Sequence, residues 1–175
     1  ADALIGGDLV VSAGAATLGL MKPGRAGAVV NGHQTLTGDF TRDSDFSLPW
    51  DRLQLALQAR LQDRLAMFDA SELARTLLGD SIFSNMMIFG AAWQRGLVPI
   101  SREAILRAIE LNGAAPERNK RAFELGRWAA LNPEDAAALL SPKVVELPKT
   151  LDDRIAERAS HPVSYTHLRA HETAT

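Results

Sequence analysis

The sequence predicts an α/β domain with a short parallel sheet, followed by a helical segment. Three observations predict it. Asp8–Ala13 (DLVVSA) and Ala26–Asn31 (AGAVVN) are short, nearly continuous apolar runs, the pattern of strands covered on both faces. Between them lie small residues and the turn signal Lys22-Pro23-Gly24. Strand, turn or short helix, then strand is the skeleton of a parallel sheet. Asp80–Pro99 (DSIFSNMMIFGAAWQRGLVP) is the longest apolar run, and a helix apolar on nearly all sides packs between other elements.

Taken in order, Asp8–Ala13 after Gly6 and Gly7 is the first predicted strand, and Ala15–Leu20 a short helix or turn. Ala26–Asn31 is the second strand. Ligands in open α/β sheets sit beyond the carboxyl ends of strands, so Gly14 and Asn31-Gly32-His33 are predicted to line a crevice. GGDLVVSAGAATLG does not place its glycines as a dinucleotide fingerprint, and no phosphate loop of the GKS or GKT type follows. Residues 32–50 are polar and aperiodic and read as an extended excursion. His33 lies where a catalytic base could sit, but no acidic residue stands at a recognisable spacing, so it reads as a loop histidine.

Asp51–Leu61 carries an imperfect apolar stripe and predicts a helix; Arg64–Asp69 predicts a third strand. Asp69 or Ser71 caps the helix Glu72–Leu78, which Gly79 ends. The central helix starts at Asp80 or Ser81, with Ile82, Phe83, Met86, Met87, Phe89, Gly90 and Trp93 at helical spacing. Gly96 and Pro99 close it. Asn85 is its odd polar residue, read as bonded to nearby backbone or as facing a ligand or partner. Ser101 caps a helix to Leu111 whose inner face is Ile105, Leu106, Ile109 and Leu111; Asn112-Gly113 breaks it. Pro116 opens the helix to Leu131, and Pro133 a short alanine-rich helix to Leu140. Ser141–Thr150, with two prolines, reads as a linker or edge segment, and Leu151–Ala159 begins another helix.

Composition sets the function classes. With 175 residues, 46% hydrophobic and 23% charged, the chain is long enough for one domain with a substantial core. A net charge of −2 and 6% aromatic residues argue against nucleic acid as a partner. No residue is cysteine, so disulfides, thiolate nucleophiles and cysteine-held clusters are excluded from within this chain. This fits a cytoplasmic protein. No targeting or membrane-spanning segment is expected, and the opening ADALIGGDLVVSAG reads as a chain cut from a longer protein. In the tail HPVSYTHLRAHETAT, His167 and His171 have an i, i+4 metal spacing but lack the H-E-x-x-H glutamate and a third ligand. The string resembles translated sequencing-adapter sequence, so residues 161–175 are read as non-native.

Several ordered segments carry a family resemblance: GGDLVVSAGAATLGLMKPGRAGAVVNGHQTLTGDF, FDASELARTLLGDSIFSNMMIFGAAWQRGLVPIS and AILRAIELNGAAPERNKRAFELGRWAA. Together they resemble the γ-type domain of 2-oxoacid:ferredoxin oxidoreductases, above all the long, fused indolepyruvate ferredoxin oxidoreductases. The resemblance covers about Ala1–Ala159. It implies a partial Rossmann-like three-layer domain: residues 1–140 as the second part of the γ-type domain, 141–160 as linker and start of a helical C-terminal region.

The resemblance also implies oxidative decarboxylation of a 2-oxoacid to its acyl-CoA with reduction of ferredoxin. The enzyme would use thiamine diphosphate, iron–sulfur clusters and coenzyme A, with thiamine-binding and cluster-binding domains and ferredoxin as partners and a homo-oligomeric assembly. No catalytic residue is carried over, the isolated fragment is expected to be inactive, and no metal is assigned to it. Asn31, Gly32, His33 and Asn85 are the candidates for lying beside coenzyme A. The other class of reading is a stand-alone, non-enzymatic interaction or scaffold subunit.

Overall fold

The computed structural model describes residues 1–34 and 49–141. Most of the predicted excursion, the linker, the helix from Leu151 and the histidine-bearing tail lie outside the described residues. Three strands, β1 (Ala3–Gly6), β2 (Gly27–Asn31) and β3 (Leu65–Phe68), form a parallel sheet in the order β1-β2-β3. Ile5 pairs with Val29, and Val29 with Ala66. Helices α1 (Leu9–Ser12) and α2 (Ala15–Leu20) link β1 to β2. Helix α3 (Trp50–Leu61) precedes β3, and α4 (Ala70–Leu78), α5 (Ser84–Gln94), α6 (Arg102–Asn112), α7 (Pro116–Leu131) and α8 (Pro133–Leu140) follow it.

Strand β2 is buried along its whole length. Alternation of side chains along a strand divides its residues between two faces. Ala28 and Val30 pack with Leu9, Met21, Leu57 and Leu61 on one side. Val29 packs with Leu73, Met87, Ile88 and Ala91 on the other. The result is the expected three-layer α/β arrangement, with α1 and α3 on one face and α4 and α5 on the opposite one.

One predicted strand is a helix. Residues 9–12 of the run DLVVSA form α1, and the strand lies upstream at Ala3–Gly6. The reason is local: Asp8 Oδ1 accepts the Val11 N–H at 2.8 Å and caps the turn. Leu9 is turned inward while Val11 is 71% exposed, so capping and one-sided burial override the strand preference of the valines. Gly14 therefore follows a helix and precedes α2; the loop beyond β1 is Gly7-Asp8. A β-carbon on Gly6 would overlap Ser12 Oγ, so this glycine lets α1 close onto the strand end.

The other elements lie within a residue or two of expectation, because their caps are local chemistry, except that Asp80 caps a 3-10 turn and α5 itself starts at Ser84, three residues later than expected. Asp69 accepts from Glu72 N–H and Ser101 from Ala104 N–H. Gly79 and Gly113 end α4 and α6 with positive φ, and Pro116 and Pro133 open α7 and α8. Two apolar assignments change. Ile82 sits in a 3-10 turn, Ser81–Phe83, ahead of α5, and is 71% exposed. Leu111, at the end of α6, is also 71% exposed. Each lies at an element end, where the helical stripe no longer faces the core.

Helices α5 and α7 meet backbone to backbone. A β-carbon on Gly90 would overlap the Phe123 carbonyl oxygen, and one on Gly126 would overlap that of Met87. Each helix therefore supplies the gap that the other fills. Phe123 and Trp93 flank the contact with ring centroids 5.9 Å apart. The Arg127 guanidinium lies 4.7 Å from the Trp93 ring centroid, and the indole N–H donates to Ile100 C=O at 2.7 Å. Ile105 and Ile109 bring α6 against Phe123. At the exposed α6–α7 turn, hydrogen bonding from Lys120 holds the Glu110 carboxyl below its ordinary range.

Alanine at Gly126 or Gly90 sets helix propensity, worth about 1 kcal/mol in favour, against overpacking, which costs about 1–3 kcal/mol or more. The overlapping atom is backbone and cannot rotate away, so overpacking wins. Gly126→Ala should lower stability by about 2 kcal/mol in urea unfolding, while Gly19→Ala in α2, with open space around it, should be neutral or stabilising. Exposed Gln62 has φ 53° and ψ −127°, a conformation that costs a side chain about 1 kcal/mol or more. Gln62→Gly should raise the unfolding midpoint.

Candidate functional site

The carboxyl ends of the three parallel strands open onto Gly7-Asp8, Asn31-Gly32-His33 and Asp69-Ala70-Ser71. Asn31 joins them. Its side chain is 5% exposed in the residue as a whole, and its amide uses its full bonding capacity. Nδ2 donates to Ser71 Oγ at 2.9 Å and to Gly7 C=O at 3.3 Å. Oδ1 accepts the Ala70 N–H at 3.0 Å and the His33 N–H at 3.2 Å. One side chain at the end of the central strand thus fixes the loop after β1, the backbone after β2 and the first turn of α4.

Gly32 donates its N–H to Phe68 C=O at 2.9 Å, extending the β2–β3 pairing past the sheet. A β-carbon there would stand 3.1 Å from Met67 Cγ, so the loop hugs the neighbouring strand. His33 then rises beside the end of β3. Contrary to the loop-histidine expectation, it has an acidic partner. Nδ1 lies 2.9 Å from Asp69 Oδ2 and 3.1 Å from Oδ1, with the two side chains 27% and 31% exposed. Asp69 Oδ1 also accepts the Glu72 N–H at 2.7 Å. A carboxylate accepts only, so Nδ1 carries the proton and the neutral ring keeps its lone pair on Nε2.

Asn85 takes no part in this hydrogen-bonded cluster but lies near Gly7. A β-carbon on Gly7 would lie 3.6 Å from Asn85 Oδ1. Asn85 is exposed and makes no hydrogen bond among the described residues, so the backbone-bonded reading does not hold. Asn31 and Asn85 therefore both border Gly7. Asp69 is the residue that sequence reasoning missed as a site component. Its helix-capping duty was visible, but its contact with His33 spans 36 positions of sequence. Among the described residues, no three His, Asp or Glu side chains gather in a metal-binding group, and no helix is long and apolar enough to cross a membrane.

A short parallel sheet, covered by helices on both faces and edged with polar side chains at its carboxyl ends, defines an α/β domain of the open-sheet kind, in which ligands sit beyond the strand ends. The family model of pyruvate ferredoxin/flavodoxin oxidoreductase matches residues 1–129. The chain belongs to that family, and so to oxidoreductases of the 2-oxoacid:ferredoxin type. No curated protein and no solved structure matches it.

Replacing Asn31 with alanine would leave the buried Ala70 N–H unpaired and free the Gly7 loop. An unsatisfied buried donor alone costs about 1–3 kcal/mol. Asn31→Ala should therefore lower stability by about 3 kcal/mol and speed hydrogen exchange at Ala70 more than at α7 amides.

Proposed function

We propose that the chain contributes the γ-type domain of an indolepyruvate ferredoxin oxidoreductase and that its crevice positions coenzyme A. The overall reaction is oxidative decarboxylation of indolepyruvate to indoleacetyl-CoA, with ferredoxin taking the electrons. The observation that carries this reading is that Asn31 ties together the segments leaving β1, β2 and β3, with Gly32 and His33 following it at the end of β2, in a chain of this family. Asn85 supplies a further side-chain amide beside Gly7. Amide groups and an imidazole suit the amide- and phosphate-bearing arm of coenzyme A, which offers donors and acceptors along its length.

Thiamine diphosphate, when bound in the enzyme, supplies the carbanion chemistry. The cysteine-free sequence leaves cluster ligation to other parts of the assembly. Thiamine-binding and cluster-binding domains and ferredoxin are accordingly the partners, within a cytoplasmic homo-oligomer.

The test uses the complete enzyme with and without Asn85→Ala. Loss of one hydrogen bond to coenzyme A should raise its KM about fivefold, as about 1 kcal/mol implies, with the KM for the 2-oxoacid unchanged. Indolepyruvate should give a higher kcat/KM than pyruvate. An unchanged coenzyme A KM in both Asn85→Ala and His33→Ala enzymes would defeat the positioning role, and a preference for pyruvate would defeat the substrate assignment.

A further inference from the structure

We propose that His33 and Asp69 form a proton-accepting pair: Asp69 sets the imidazole tautomer, and His33 Nε2 takes the proton of the coenzyme A thiol. This rests on the crevice being the coenzyme A site. Three features of the pair point beyond a structural contact.

Both members are held independently of one another. His33 is fixed through its backbone N–H to Asn31 Oδ1, and Asn31 is itself locked by three further hydrogen bonds. Asp69 is fixed as the N-cap of α4 through Glu72 N–H. The helix cap needs no histidine, yet both carboxylate oxygens lie within 3.1 Å of Nδ1.

The ring is also oriented for one task. Donation of Nδ1–H to the carboxylate leaves the lone pair on Nε2, the ring nitrogen turned away from Asp69, as the atom that can take a proton. Nε2 has no partner among the described residues, and the 27% side-chain exposure leaves the ring open to a ligand. Finally, the chain holds no cysteine, so no thiol of its own competes with coenzyme A for this base. In the step, the S–H bond breaks, an Nε2–H bond forms, and the electron pair stays on sulfur. Nothing is oxidised or reduced, and the thiolate is ready to accept an acyl group. His33 is then a catalytic residue, and Asp69 a positioning residue.

Two measurements test this on the full chain. Nitrogen-15 spectra of the imidazole, without ligand, should show the Nδ1–H tautomer in the wild type. In Asp69→Asn, the new amide still caps α4 but can donate to Nδ1, so the ring should switch to Nε2–H, with Glu72 amide protection retained. Coenzyme A is then added at one near-neutral pH and its thiolate is read by ultraviolet absorbance. Wild-type protein should raise the thiolate fraction about tenfold over free coenzyme A; His33→Gln and Asp69→Asn should bind it without that rise. An Nε2–H wild-type ring, or a bound thiolate fraction equal in wild type and His33→Gln, overturns the proton transfer. Failure of coenzyme A to bind the wild type defeats the crevice assignment first, and the thiol step with it, even where the tautomer is as expected.

Discussion

A single buried amide governs the carboxyl edge of this domain. Parallel strands end with unpaired backbone groups, and the loops leaving them diverge unless something ties them. Asn31 does so by donating two hydrogen bonds and accepting two, which together reach three segments. The consequence is a rigid platform in which neither His33 nor the start of α4 is positioned by its own side chain alone. A hydrophobic residue at this end of β2 would continue the core but leave three chain segments without a common anchor.

The platform is backed by a second constraint of a different kind. On the far side of the sheet from α1 and α3, helix α5 lies against α4, β2 and α7, with Met87, Ile88, Ala91 and Ala92 buried. The glycines at 90 and 126 let α5 and α7 approach until backbone touches backbone. Dispersion gained over such a contact is large in total because the atoms are many and close. The aromatic pair Trp93–Phe123 and the Arg127 contact close the same interface at its rim. Layer order and crevice position thus follow from tight packing behind the sheet and hydrogen bonding at its edge.

Most of this was legible in the sequence where the deciding chemistry is local. Asp69, Ser101, Gly79, Gly113, Pro116 and Pro133 each act on the backbone within a few residues, and they mark α4, α6, α7 and α8 within a residue or two. Strand β2 announced itself as Ala26–Asn31, and with it the position of Asn31, Gly32 and His33 at a strand's carboxyl end. Strand β1 did not. Its four residues are too short and too exposed to outweigh the neighbouring Leu9-Val10-Val11, and the Asp8 cap that turned that run into a helix was the overlooked signal. The His33–Asp69 pair was beyond reach for a different reason: it depends on β2 and β3 being adjacent and in register, which no spacing along the chain encodes. Gly126 was likewise invisible, since only the crossing of α5 and α7 gives it a purpose.

Asp69 holds the start of a helix and the ring of a histidine with one carboxylate. The two duties are therefore coupled: if the opening turn of α4 frays, the carboxylate loses the amide that steadies it and the imidazole loses its orientation together. A conformational fluctuation costing no more than a helix end would then be felt as chemistry, so any neighbouring protein surface that winds or unwinds this turn would control the histidine without touching it.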